Sequence, residues 1–438
     1  MKLKSLAAGA VVAGMAAGLA LPAFAQDKIY VPLLTYRTGP FASSGVGIAD
    51  GMHDYLEMLN QRDGGIGGVK IEIEECETGY DTKKGVECYE STKSKGPAVY
   101  NPYSTGITLQ LIPKAAVDKV PVLSMAYGLS AAAEGDKFPW IFNPPLTYWD
   151  GASLMVRHMA EQSGGFDKLK GKKLGLIHLD APYGKEPIPV LEAMAKKYGF
   201  QLILYPVPAK EMQNQGSVWL QIRRDRPDWL YNQGWGAMNP TAVREAAKNN
   251  FPLDRFVGVW WAGGDGDAKA GGKPGYKALA FHSAGKDWPV MKEIEKHVIS
   301  KGLSKTTPEG FGDMLYNRGV YNSMLVAEAI RTAQKITGKK AVKGEDVRRG
   351  LEQLSIDAAR LKELGMEGFA GPVKVTCDNH SGHNKVFVSQ WDGKGWKKAS
   401  DWMEPIKEVV VPLIEKAAAD YVTKNTGWPK RTEKCDSK

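Results

Sequence analysis

Lys173-Leu174-Gly175-Leu176-Ile177-His178-Leu179 leads through a helical stretch at residues 185–198 into Gln201-Leu202-Ile203-Leu204-Tyr205-Pro206-Val207, and this succession decides the fold. Apolar runs of seven residues read as strands, and two strands joined through a helix pair in parallel rather than as a hairpin. The alternation continues with a helix at 217–224 and strands at 229–232, 256–260 and 278–283. Gly164-Gly165 precedes this series, and a second series lies before it. There, a strand at 28–34 is followed by a helix at 45–60 with Met52, Tyr55, Leu56 and Leu59 on one side. The turn Gly64-Gly65-Ile66-Gly67-Gly68 stops that helix before a strand at 69–73. A helix capped by Asp81 or Thr82 runs to about residue 95, followed by a strand at 98–101, a helix at 105–118 and a strand at 120–125. A long amphipathic helix at 320–336, a hairpin joining 372–377 to 385–391 across 379–382, and a last helix at 408–423 complete the pattern. Strand and helix alternating twice over predict an α/β fold with parallel sheets covered by helices in two doubly wound units.

Residues 1–25 stand outside that pattern. Lys2 and Lys4 precede an uncharged apolar run from 6 to 21, and Ala23-Phe24-Ala25 offers the small residues of a cleavage site before Gln26. This predicts a secretory signal peptide cleaved after Ala25, and Gln26 is not the cysteine a lipid anchor needs. The formal charge of +9 falls to +7 once Lys2 and Lys4 go, leaving 56 basic against 49 acidic residues. Bases and acids are interleaved, as in Lys292-Glu293-Ile294-Glu295-Lys296, so no basic stripe for nucleic acid forms.

Four cysteines in an exported chain are expected to pair, Cys76 with Cys88 and Cys377 with Cys435. The alternative is a metal site on Cys377, His380 and His383, whose C-x-x-H-x-x-H spacing presents three ligands without an evident fourth. The remaining histidines, at 53, 158, 178, 282 and 297, lack ligand or triad spacing. There is no phosphate loop, no G-x-S-x-G elbow and no H-E-x-x-H motif. Gly263-Gly264-Asp265-Gly266-Asp267 has Lys269 and Tyr276 where a calcium loop needs oxygen ligands. No catalytic residue, metal or cofactor is assigned, and the chain is read as a non-enzyme. What stands out is the aromatic residues at strand ends and loops, namely Tyr100, Tyr103, Tyr127, Trp235, Trp260 and Trp261. Ligands of doubly wound sheets bind beyond the carboxyl ends of strands, where such residues line a crevice.

The order of Thr38-Gly39-Pro40, the 64–68 glycine turn, Val120-Pro121-Val122-Leu123-Ser124, Tyr183-Gly184, Gly371-Pro372-Val373 and Trp391-Asp392-Gly393-Lys394 resembles the periplasmic binding proteins of branched-chain amino acid ABC transporters. The resemblance covers most of the mature chain. It implies the type I periplasmic binding fold, two lobes joined by a hinge that the chain crosses three times. Residues 26–148 with 287–371 would form the first lobe, 149–286 with 372–403 the second, and 404–438 a C-terminal helix and tail.

The resemblance also implies a site. Ser104 and Thr105 match the loop that holds the ligand carboxylate, and hydroxyl and amide donors at a helix start suit an anion. Ala126, with Tyr127 beside it, matches the second such loop, and Tyr183 a tyrosine of the other lobe. The pocket departs from the family at Gly128, where a threonine hydroxyl is missing, at Ser44 in place of an aromatic residue, and at Trp235 in place of a tyrosine. The family's acid for the ligand ammonium falls at Trp260, or at Asp265 if the gap is shifted. With Trp260 in the site the ligand lacks an amine; with Asp265 an amino acid remains expected.

The expected function is substrate capture for an ABC importer in the periplasm. Hinge closure would hold a carboxylate-bearing solute, either an amino acid or an aromatic or aliphatic acid. A monomer would hand it to an inner-membrane permease and its ATPase subunits. The rival readings are a binding module feeding a receptor or sensor kinase, and an exported enzyme built around Cys377, His380 and His383.

Overall fold

The computed structural model describes residues 27–428, 431 and 433. The signal peptide expected at 1–25 and Cys435, the partner expected for Cys377, lie outside the described residues. Among those described, no helix is long and apolar enough to cross a membrane.

The opening stretch folds as read. Lys173–Leu179 is a strand between Gln201–Val207 and Trp229–Gln233, parallel to both. It is buried on both faces, which is why its alternation is nearly all apolar. Gln201–Val207 is the sheet edge, so five of its seven residues reach the surface wholly or partly and Pro206 is tolerated there. Phe256–Gly258 and Lys277–Ala280 extend the sheet in parallel, and Phe387–Trp391 and Trp396–Lys398 close it antiparallel, giving seven strands.

The other sheet is built from Ile71–Glu77, Ile29–Thr35, the segment through Tyr100 and Asn101, Val122–Leu123 and Ile141–Phe142, all parallel. In both sheets the first strand in sequence lies between the second and the third. The neighbouring connections therefore leave the first strand in opposite directions, opening a crevice at the carboxyl ends. The regular strand at 98–101 expected from the sequence is reduced to bridges at Leu33–Asn101 and Tyr100–Val122.

The predicted hairpin is corrected. Val373–Lys374 pairs with Ser355–Ile356, and the true hairpin joins Phe387–Trp391 to Trp396–Lys398. Its turn is set by Asp392, whose Oδ1 accepts from the Lys394 and Gly395 amides at 2.8 Å, and by Gly393 at φ 100°. Residues 379–382 form instead a loop in which Asn379 Oδ1 accepts from the Ser381 and Gly382 amides.

Local signals place the helices. Asp81 caps Thr82–Thr92 by accepting from the Lys84 amide, and Ser104 caps Thr105–Asp118 by accepting from Ile107. Thr147 and Asp150 form a reciprocal capping box on Tyr148–Ser163. The long helix Met314–Thr337 lies along Ala42–Asp63 so closely that a Cβ on Gly51 would sit 2.0 Å from the Tyr316 carbonyl oxygen. It also reaches the first sheet, since Asn322 donates to Asn101 Oδ1 at 3.1 Å. The final helix Lys407–Lys424 packs Ala418 with Ala131, Ala132 and Phe138, and the Ile406 amide donates to Ser153 at 3.0 Å. Cys76 and Cys88 are bonded, across a separation of 12 residues. Closing so short a loop stabilises by about 3 kcal/mol in the chain-entropy account.

His380 and His383 are tied into this framework. His380 is buried with its ring stacked on Phe142 at 3.9 Å and Nδ1 2.8 Å from the Ile141 carbonyl, and burial pulls its pKa down to about 3. His383 Nδ1 lies 2.7 Å from Asp150 Oδ1. Burial alone would lower its pKa, but the Asp150 charge and hydrogen bond raise it by more. A raised folded-state pKa gives stability that is full below the unfolded value of about 6.5 and lost as pH rises through the folded value. The stability difference between wild type and His383→Gln, from urea unfolding, should therefore be larger at pH 6 than at pH 8.5. An equal difference at both would refute the charged pair. Taking the difference between two proteins cancels the other buried histidines.

Candidate functional site

The carboxyl ends of the strands flanking each crevice converge on one aromatic enclosure. From the first sheet come Tyr36, directly after Ile29–Thr35, then Tyr103, Ser104 and Thr105, and then Ala126 and Tyr127 after Val122–Leu123. From the seven-stranded sheet come Tyr183 after Lys173–Leu179, Trp235 after Trp229–Gln233, and Trp260 and Trp261 after Phe256–Gly258. Tyr148, the first residue of its helix, joins them. All are buried.

Contacts run between the two sets. The Tyr36 and Tyr127 hydroxyls are 3.2 Å apart, and Tyr127 stacks on Trp261 with centroids 4.1 Å apart. Trp261 donates from Nε1 to the Ala126 carbonyl at 3.4 Å and meets Trp235 edge-on at 5.5 Å. Trp260 lies parallel to Tyr148 at 5.6 Å, and Tyr148 meets Tyr183 at 5.4 Å. The Tyr183 hydroxyl donates to the Gly234 carbonyl at 2.9 Å, linking the two strands beside the crevice. Such pairs add roughly 0.5–1.5 kcal/mol each beyond their buried area.

The polar end is the start of Thr105–Asp118. Ser104 Oγ accepts from the Ile107 amide at 3.3 Å, and Thr105 Oγ1 accepts from the Gly128 amide at 3.2 Å. Each hydroxyl keeps its own proton for donation at the positive end of a helix dipole, with the Tyr80 hydroxyl beside Ser104 and the Tyr148 hydroxyl beside Thr105. Tyr80, Tyr103, Met125 and Ala126 hold positive φ of 64°, 50°, 47° and 58°, a strained conformation for side chains of this size. Burial raises the pKa of Tyr36, Tyr103, Tyr127, Tyr148 and Tyr183 well above the usual tyrosine value, so all are neutral donors.

Several donors have no acceptor. Trp260 Nε1 is buried without a hydrogen bond. Tyr148 Oη beside Thr105, and Trp235 Nε1 beside Tyr36, fall outside hydrogen-bonding geometry. A buried donor left unpaired costs about 1–3 kcal/mol, so these atoms favour a ligand that accepts.

Of the residues expected at the site, Ser104, Thr105, Ala126, Tyr127, Tyr183, Trp235 and Trp260 come together. Asp265 stands apart. Its Oδ2 accepts from the Met314 amide at 2.9 Å, beside a separate cavity of about 330 Å³ lined also by Asp50, Asp267 and Asp313. Burial raises the Asp265 and Asp267 carboxyls, Asp267 to about 8. The acid beside the enclosure is Glu186, close to Gly128 and Thr105, and its Oε1 is held by the Ser130 amide at 2.5 Å. Burial raises its pKa, favouring the neutral form. Tyr100 turns away, packing on Tyr89 at 4.5 Å. Sequence reasoning missed Tyr36, Tyr148 and Glu186. Position directly after the first strand was the signal for Tyr36, and nothing in the local sequence singled out the other two.

No curated protein matches the chain by sequence. A solved protein from the Pseudomonas fluorescens group, described as an ABC transporter permease, is 39% identical over 93% of this chain and all of its own, with a TM-score of 0.85. A Thermus thermophilus branched-chain amino acid ABC transporter protein with bound valine is 17% identical over 89% of this chain and 99% of its own, with a TM-score of 0.75. An ABC transporter solute-binding protein from R. palustris in complex with benzoate is 15% identical over 86% of this chain and 97% of its own, with a TM-score of 0.66. The last two share the type I periplasmic binding fold with this chain. The periplasmic binding protein family model matches residues 28–397, and the chain belongs to that family.

Proposed function

We propose that this protein is the extracytoplasmic substrate-binding component of an ABC importer, capturing a small amine-free carboxylic acid with a flat or apolar body between two lobes. The observation that carries the reading is the enclosure itself. Ser104 and Thr105 offer hydroxyls at a helix start, aromatic rings surround them, and Trp260 Nε1 is an unpaired donor. An ammonium buried there without a carboxylate would cost several kcal/mol. Asp265 faces another cavity, and Glu186 is held by Ser130 and inclined by burial to stay neutral. The benzoate complex of the R. palustris neighbour suits this choice, and the valine complex of the Thermus neighbour represents the other.

The two lobes are read as 26–148 with 287–371 and 149–286 with 372–403, in keeping with the membership of the two sheets. A solute touching both lobes favours the closed form by its differential affinity, and that form would be presented to an inner-membrane permease and its ATPase subunits. The basic, apolar and small-residue succession of residues 1–25 supports export to the periplasm and cleavage after Ala25. A monomer suffices for this work.

A thermal-shift panel of the mature chain tests the ligand class, using benzoate, phenylacetate, 4-methylpentanoate, leucine, valine and phenylalanine. An acid at 100 times its Kd should stabilise by about 2.7 kcal/mol, with the amino acids silent. Stabilisation by leucine or valine, with the acids silent, would contradict the amine-free reading and place an acid in the cleft.

A further inference from the structure

We infer that Arg318 is the fixed cation that pairs with the carboxylate of the captured solute, a role that rests on the binding-protein reading above. Arg318 lies on Met314–Thr337 and is fully buried. Its guanidinium sits 5.0 Å from the Trp261 ring centroid and 4.4 Å from that of Phe281. Nη1 donates to the Trp260 carbonyl at 3.0 Å, Nε donates to His282 Nε2, and Nη2 is buried with no partner. His282 is the acceptor here because burial and Arg318 hold it neutral, with Nδ1 3.1 Å from the Ser283 carbonyl.

Every partner is thus uncharged. The other buried arginines differ: Arg348 meets Glu352 at 3.1 Å, and the half-buried Arg37 meets Asp50 at 2.7 Å. Among the described residues no carboxylate forms an ion pair with Arg318, and burial brings its pKa down to about 9, leaving it cationic at neutral pH. A buried cation without a counter-ion costs several kcal/mol, which a structural pin between two rings does not require. The charge stands at the wall of the enclosure, since it touches the Trp260 carbonyl and the Trp261 ring as well as Phe281 and His282, and its field reaches the Tyr127, Tyr321 and Tyr148 hydroxyls. A free amino group on a planar guanidinium is suited to a carboxylate oxygen. Ser104 and Thr105 would then share the carboxylate with Arg318 or orient it.

Calorimetric titration with benzoate, phenylacetate and 4-methylpentanoate, each beside its primary amide, tests this on wild type, Arg318→Lys and Arg318→Met. Wild type should prefer at least one acid over its amide by about 100-fold, Arg318→Met should lose that preference, and Arg318→Lys should keep part of it. Circular dichroism establishes folding of the variants, and the acid-to-amide ratio in wild type needs no variant. An undiminished preference in Arg318→Met overturns the role of Arg318 while leaving acid capture intact. Equal affinity for acid and amide in wild type overturns it without any variant. Failure of all three acids to bind wild type overturns both the acid reading and Arg318.

Discussion

Trp260→Ala is expected to lower the unfolding free energy by about 3–5 kcal/mol and to remove stabilisation by any captured acid. Trp260 is among the largest fully buried side chains, parallel to Tyr148 at 5.6 Å and edge-on to Phe281 at 5.8 Å. Truncation leaves a cavity against both rings and against Gly151, where a Cβ would lie 2.6 Å from the Trp260 ring. The value should fall toward the lower end of that range, because the unpaired Nε1 donor goes with the ring. Trp260→Phe separates the two roles. It keeps an aromatic face on Tyr148 but deletes the orphan donor together with part of the indole, so unliganded stability should fall by much less than in Trp260→Ala while acid affinity drops about tenfold. Chemical unfolding and calorimetric titration of both variants check this, and unchanged affinity in Trp260→Phe would remove Trp260 Nε1 from the site.

Gly319→Ala is expected to cost about 3 kcal/mol or more. A Cβ on Gly319 would lie 2.1 Å from the Ile48 carbonyl oxygen and 2.7 Å from the Met52 amide nitrogen. Both are backbone atoms of Ala42–Asp63, so relief requires two long helices to separate. Gly51 faces the same seam from the other side, and its Cβ would meet the Tyr316 carbonyl oxygen. Separation would shift Asn322, which donates to Tyr103 Oη at 2.5 Å, and so the loop that carries Ser104 and Thr105. Urea unfolding should show the loss, and a change below about 1 kcal/mol would mean the seam yields more readily than backbone packing allows.

How much could be read in advance follows from where the signal resides. Lys173–Leu179, Gln201–Val207 and Thr105–Asp118 have the bounds expected of them, because each is an unbroken run between strong turn or cap signals. The strand at 98–101 is too short to pair regularly, and the hairpin expected at 372–391 forms further along the chain. Val373 and Val375, and then Val386 and Val388, alternate as strand residues do, yet the pairing partners Ser355–Ile356 and Trp396–Lys398 lie elsewhere. Pairing is a long-range property that local periodicity does not contain. Aromatic residues directly after strands, such as Tyr127 and Trp235, were legible through the rule that crevices open at carboxyl ends, and Tyr183 through the family resemblance. Tyr148 and Arg318 sit within helices, and their approach to the enclosure depends on how those helices cross the sheets. The choice between Trp260 and Asp265 depended on a few residues of loop conformation, and the structure turns the two in different directions.

Small-angle X-ray scattering of the mature protein, alone and with saturating phenylacetate or whichever acid of the panel gives the largest thermal shift, tests capture by closure most directly. The enclosure residues are buried in this structure, as in a closed form. The unliganded protein should scatter with a larger radius of gyration than this structure, and the acid should bring the curve onto it. A curve that the bound acid leaves unchanged would contradict capture between closing lobes.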